Sequence, residues 1–179
     1  MAEVTTHEAR VDFDERGPRT RYEDLEIGAS IGTTTWAITQ ELVDDICERF
    51  DDYHEWYSVR SPFGTTVAPP IACYSPIRHL FSQRFNVRGL LYVFEVEFSR
   101  PMRVGDVLTL TGQISKKWIQ KNREFVEYTA TAHDEQGELV FTTRRAHALD
   151  FITRDRPREG QGIDSGLVTV PSTSTGSNR

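Results

Sequence analysis

Apolar positions follow two regimes along the chain, and the period changes near residue 90. Before that point they recur at three- and four-residue steps. Leu42, Val43, Ile46, Cys47 and Phe50 do so behind Thr39, whose hydroxyl suits an N-cap, and predict a helix of about three turns. Ile71, Tyr74, Ile77, Leu80, Phe81 and Phe85 repeat the spacing and predict a second helix over 69–85 with a broad apolar face. Pro70 fits its first turn, where no N–H is needed. Pro76 implies either a bend or a fresh start capped by Ser75. Beyond residue 90 the period is two. Tyr92, Phe94, Val96 and Phe98 alternate with Val93, Glu95, Glu97 and Ser99, and "DVLTLTGQIS", "EFVEYTATAHD" and "ELVFTTRRAHAL" continue in the same style. The β-branched run "IGTTTWAIT" supplies a strand ahead of the first helix, and Gly137 in "DEQGE" marks a hairpin turn. The predicted order is strand, helix, loop, helix and then four strands in a meander. This is an α+β layout in which a twisted antiparallel β-sheet wraps around one long central helix.

A chain of 179 residues suits one domain, and its apolar and aromatic content suits a packed core. The patterned region runs over 21–153. Residues 1–20 are polar and aperiodic and read as an N-terminal arm, and 154–179, rich in Gly, Ser, Thr and Pro, read as a flexible C-terminal tail. The net charge of −6 argues against binding a phosphate backbone. The one basic stretch with aromatics, "ISKKWIQKNREF", lies between two strands, where a charged hairpin tip explains it. No apolar run approaches the ~20 residues of a membrane-spanning helix, so no membrane partner is expected. The N-terminus has no apolar signal region, which leaves a cytoplasmic location as the expectation. Cys47 and Cys73 are too few and too isolated for a disulfide framework or a zinc site and read as small buried residues. No metal and no cofactor are implied.

The densest chemistry lies in "FDDYHEWYSVRSPFGTTVAPP", residues 50–70, between the two predicted helices. Two carboxylates, an imidazole and two phenols precede a glycine and a double proline. The order of pieces resembles the MaoC-like dehydratase and hydratase proteins of the hot-dog fold, over about residues 22–150. "RYEDLEIGASIG" resembles the opening of that family, "FDDYH" lies where its catalytic loop lies, "SPFGTTVAPP" resembles the glycine turn into the central helix, and "SRPMRVGDVLTLTGQI" resembles its strand pair.

That resemblance implies a single hot-dog domain and a hydro-lyase acting on 2-enoyl or 3-hydroxyacyl thioesters of coenzyme A or acyl-carrier protein. Family members place an Asp and a His five positions apart on the loop, where they share one water, and a backbone N–H at the start of the central helix meets the thioester oxygen. Such a pair adds hydroxide at C3 and a proton at C2, and the charge forming on the oxygen needs fixed donors. The implied catalytic residues are Asp52, His54 and Tyr57, and the implied substrate-binding residues are Gly64, Ile71, Ala72 and Tyr74. Two departures stand out. Five positions on from Asp52 is Tyr57, not a histidine, so either His54 or Tyr57 takes the histidine's role. "APP" stands where a histidine and a glycine are frequent, and Pro70 has no N–H, which passes the donor role to Ile71, Ala72 or a side chain.

Two other functions remain open at this level. A hot-dog thioesterase commonly uses a carboxylate on the central helix, and residues 69–85 contain none. A non-catalytic subunit that binds the acyl chain for a partner would fit the double proline. Paired edge strands predict a homodimer, or a heterodimer with a second hot-dog subunit. His133 and His147, in the last two strands, read as structural, and Arg60, Arg78, Arg84 and Arg88 read as solvated cations around the central helix.

Overall fold

The computed structural model describes residues 19–87 and 89–149. Residues 1–18, most of the arm, together with Arg88 and residues 150–179, which include the tail, lie outside the described residues. Strand β1 (Ser30–Ala37) leads to helix α1 (Gln40–Phe50), a short helix α2 (Glu55–Ser58), a 3-10 turn Pro70–Cys73 continuous with helix α3 (Tyr74–Arg84), and strands β2 (Gly89–Phe98), β3 (Val107–Gln120), β4 (Arg123–His133) and β5 (Leu139–Leu149). The five strands form one antiparallel sheet in the order β1-β3-β4-β5-β2.

Local chemistry accounts for most boundaries. Thr39 caps α1 as expected, its Oγ1 accepting from the Leu42 amide at 3.1 Å. The helix ends at Asp51, which takes the left-handed conformation with φ 52°. Lys121 and Asn122, both with positive φ, make the tight β3–β4 turn, so the basic stretch is a hairpin tip. Gly137, with φ 83°, closes the β4–β5 hairpin against Asp134.

Several expectations are corrected. The four late strands are not a simple meander: β3, β4 and β5 are, whereas β2 pairs with β5 and forms a sheet edge, because the chain passes from β2 to β3 across the sheet through residues 99–106. The long central helix is shorter than predicted, a four-residue 3-10 turn followed by eleven α-helical residues. The change from 3-10 to α falls at Tyr74, and the helix runs on through Pro76, so Ser75 lies inside the helix and caps no fresh start. Finally, a bulge between Leu91 and Val93 shifts the alternation of β2. Tyr92 lands on the opposite face from Phe94, Val96 and Phe98 and packs with Trp118 and Phe125. Phe50, counted on the apolar face of α1, is exposed.

The core lies between the inner face of the sheet and the helices. Ile77, Leu80 and Phe81 of α3 and Val43, Ile46 and Cys47 of α1 meet Ile31, Leu108, Leu110, Ile114, Val126, Tyr128 and Phe141. Cys47 and Cys73 are free and buried. Phe81 stacks flat on Tyr128, with ring centroids 4.2 Å apart.

The connection from β2 to β3 is fixed by Arg100, whose guanidinium bonds Asp106 at 2.6 Å and Asp134 at 2.8 Å in a half-buried network. This connection then holds the segment that leads to α3. Val67 bridges Arg103, the Ala68 amide donates to Met102 O at 2.8 Å, and the Val104 amide donates to Thr66 O at 3.0 Å.

His147 is buried beside this core stack, 5.7 Å from the Tyr128 ring and 6.0 Å from that of Phe81. Burial, with the Arg145 and Arg78 cations adding to it, lowers its pKa from 6.5 to about 4. The unfolded chain then binds a proton that the folded one refuses between those values. The stability attached to neutral His147 is complete above pH 6.5 and is lost as pH falls toward 4. Urea unfolding at pH 7.5 and pH 5 should differ by about 2 kcal/mol from this group, and His147→Phe should remove that share of the difference.

Candidate active site

The loop after α1 is tied to the segment that leads into α3. Gln40, in the first turn of α1, holds the loop from both sides: its Nε2 donates to Tyr57 O at 2.8 Å, and its Oε1 accepts from Thr66 Oγ1 at 2.9 Å. The Val67 amide donates to Trp56 O at 3.0 Å. Helix α2 is thereby tied to the segment three residues ahead of Pro70.

Asp52, His54 and Tyr57 take different positions on this loop. Asp52 is exposed, and its amide donates to Cys47 O at 3.1 Å, the backbone closing α1. His54 is exposed and caps α2, its Nδ1 accepting from the Trp56 amide at 3.2 Å. An Nδ1 that accepts carries no proton, so the neutral ring has its proton on Nε2. Tyr57 is half-buried against the core. Burial first, and the charge of Asp52 second, push its phenol above the usual range. The charge of Asp52 thus bears on Tyr57, while no hydrogen bond joins Asp52 to His54 or to Tyr57 among the described residues. The His54 ring lies 5.6 Å from that of Tyr57 and 5.0 Å from that of Trp56.

The substrate-binding candidates are also resolved individually. Gly64, with φ +95°, turns the chain, its amide donating to Ser61 O at 3.2 Å; it is exposed, and its role is conformational. Pro69 and Pro70 offer no N–H. The Ala72 amide donates to Pro69 O at 2.9 Å, whereas Ile71, the first residue of the turn with an N–H, has no helical acceptor behind it. Ile71 is thus the open donor at this helix start. Tyr74 is half-buried, and its ring meets Phe94 edge-on at 5.2 Å.

Sequence reasoning missed one group near this site. Arg145 is wholly buried on the inner face of β5, its Nη1 donating to Tyr74 O at 2.7 Å. The pair "RR" at 144–145 concealed it, because strand alternation sends one arginine to each face. Arg144 faces outward and binds Glu95 and Glu127. Of the other basic residues, Arg84 lies over Phe85, and Arg60 and Arg78 are exposed.

With this geometry in place, comparison with solved structures identifies the architecture. A regulatory protein of monoamine oxidase from Archaeoglobus superposes with a TM-score of 0.64 at 17% identity, over 73% of this chain and 94% of that one. The R-hydratase PhaJ1 of Pseudomonas aeruginosa superposes with a TM-score of 0.60 at 18% identity, over 72% and 84%. The chain has the hot-dog fold. A third hot-dog structure, the 3R-hydroxyacyl-ACP dehydratase complex HadBC of Mycobacterium tuberculosis, gives 0.59 at 15% identity, over 64% and 90%. MaoC-like dehydratases share the same architecture. No family model matches the sequence, and no curated protein sequence matches it. No helix among the described residues is long and apolar enough to cross a membrane, and none of their His, Cys, Asp and Glu side chains group as a metal site.

Proposed function

We propose that this hot-dog domain is a hydro-lyase that adds water to 2-enoyl thioesters, or removes it from 3-hydroxyacyl thioesters, carried on coenzyme A or acyl-carrier protein. The observation that carries the reading is the Asp52–Tyr57 pair, five positions apart on the loop tied to the segment that leads to the open Ile71 amide. In hydration, the Asp52 carboxylate takes a proton from water, and the hydroxide forms a bond to C3 as the C2–C3 π electrons shift toward the thioester oxygen. The Ile71 N–H, at the positive end of a continuous helical run, holds that oxygen. Tyr57, kept protonated by burial and by the Asp52 charge, delivers a proton to C2 and regains one from Asp52 through solvent. His54 is a positioning residue, since its Nδ1 fixes α2 and hence Tyr57. His54→Asn, which keeps an N-cap acceptor, should restore most of what His54→Ala loses. A requirement for imidazole at this position would instead make His54 the proton donor.

A second reading draws on Pro69 and Pro70, which leave a single amide where the chemistry favours several donors. In that reading the domain binds the acyl chain and completes a catalytic partner, as the two-component naming of the HadBC complex brings to mind. Incubating the chain alone with crotonyl-CoA and following water addition by mass separates the two.

Assembly belongs to the same proposal. Among the described residues strand β2 pairs with β5 on one side only, and Leu90 and Tyr92 along it are exposed. An unpaired edge with apolar side chains favours pairing across a two-fold axis. Light scattering at micromolar concentration should return about twice the 20.5 kDa chain mass; a monomer would remove the dimer from the account.

A further inference from the structure

The Arg145 guanidinium lies deep in the domain and has no counterion among the described residues. It is 0% exposed, and its Nε and Nη2 have no acceptor. Its one hydrogen bond, from Nη1, goes to a neutral carbonyl, Tyr74 O. The rings of Tyr74 and Phe94 lie at 4.2 Å and 4.9 Å from Cζ and cover it. The acids of neighbouring strands, Glu95 and Glu127, are bound by Arg144 on the opposite face.

Guanidinium does not lose its proton in a protein, and a buried charge without a partner costs several kcal/mol. Contact with two ring faces offsets part of that cost, but it leaves two N–H-bearing nitrogens unanswered. The groups beside it are unanswered too. Tyr128 is its cross-strand partner and Thr143 and His147 flank it on the same face of β5, and Tyr128 Oη, Thr143 Oγ1 and His147 Nε2 are all buried without hydrogen-bond partners. A cation ringed by unsatisfied polar atoms, with no anion beside it among the described residues, is suited to receive one.

Its place relative to the site limits what that anion is. Tyr74 follows the turn that begins with the open Ile71 amide. Three residues of 3-10 helix rise roughly 6 Å, so Arg145 lies within reach of the far end of a short acyl chain whose thioester oxygen rests on Ile71. A segment of a partner protein would have to wedge α3 away from the sheet to reach the same point, whereas an extended acyl chain is slender enough to pass beside Tyr74.

Resting on the hydro-lyase reading, we propose that Arg145 is a specificity-determining residue that binds a carboxylate at the distal end of a short acyl thioester, so that the substrates are half-thioesters of dicarboxylic acids. Tyr74 and Phe94 move aside to admit the chain, and the carboxylate takes both free nitrogens of the guanidinium as a bidentate pair.

The test uses two saturated four-carbon probes that no hydro-lyase consumes, succinyl-CoA and butyryl-CoA, which differ at the far end by a carboxylate in place of a methyl. Calorimetry with the full chain should show succinyl-CoA binding at least about tenfold tighter. Arg145→Met should abolish or reverse that preference without lowering the melting temperature, because an unmatched buried charge is lost. Arg145→Lys, which keeps the charge but not the fork, should retain only part of it. Equal or tighter binding of butyryl-CoA by the wild type overturns the proposal while leaving an acyl-thioester site in place, and it does so whether or not the variants fold. A preference that survives in Arg145→Met also overturns it. Failure of both probes to bind overturns it together with the acyl-thioester reading.

Discussion

Asp52→Asn should lower turnover of a 2-enoyl thioester by about 10²–10⁴-fold, the usual worth of general acid–base catalysis. The substitution keeps size and shape but removes the negative charge that helps hold the Tyr57 phenol above its usual range. Two consequences should appear together. Proton abstraction from water stops, and the phenol of Tyr57 loses the part of its upward shift that comes from Asp52, leaving only burial and a smaller influence of Cys47. Asp52 is exposed and helps no core contact, so melting temperature and affinity for a saturated acyl-CoA should stay near wild type. Tyr57→Phe should cost a comparable factor, because Tyr57 occupies the fifth position from Asp52 and is the half-buried member of the pair. Steady-state rates with matched binding data check both. Turnover within a few-fold of wild type in the Asp52→Asn, Tyr57→Phe double variant would return the loop to a plain connector.

Phe81→Ala should be the most damaging single change to stability. Phe81 is 2% exposed, stacks on Tyr128 at 4.2 Å, and also meets Phe85 at 5.4 Å, so it links α3 to the centre of the sheet. Removing a buried phenyl group loses its transfer free energy and leaves a void that a stiff sheet closes only in part. The expected cost is about 3–5 kcal/mol, a large fraction of the whole stability of a domain this size. Denaturant titration checks it, with Phe81→Leu expected to lose much less. A loss below about 1 kcal/mol for Phe81→Ala would show that α3 does not rest on Tyr128 as described.

The arrangement of elements was legible because patterns of period 3.6 and 2 each cover many residues. Thr39, Gly137 and the apolar face of α3 act through local chemistry and stand where their neighbours in sequence imply. The placement of β2 beside β5 was not legible, because strand order depends on a crossing connection fixed by Arg100, Asp106 and Asp134, residues up to 34 positions apart. Nor was the bulge at Tyr92, since one extra residue leaves the composition of a strand unchanged while reversing which face a side chain takes.

The site divides along the same line. Loop 50–70 was conspicuous by its density of ionisable groups, and the lack of an N–H at Pro70 followed from residue type alone. Which members of the loop meet was not readable. His54 is taken up by the N-cap of α2, a four-residue helix too short to leave a periodic signal. Tyr57 gains its position from Gln40, seventeen residues earlier. Arg145 stayed hidden because an arginine in a strand is ordinarily solvated, and only the face it takes in the sheet reveals that it is not.

The most direct measurement is loss of enoyl absorbance when the purified full chain is mixed with crotonyl-CoA and, in parallel, with glutaconyl-CoA, which carries a distal carboxylate. Hydration to the 3-hydroxyacyl thioester is expected, faster with glutaconyl-CoA, and slowed in Asp52→Asn by the factor given above. Unchanged absorbance with both substrates, from a protein that still binds succinyl-CoA or butyryl-CoA, would contradict it and make the domain an acyl-binding subunit.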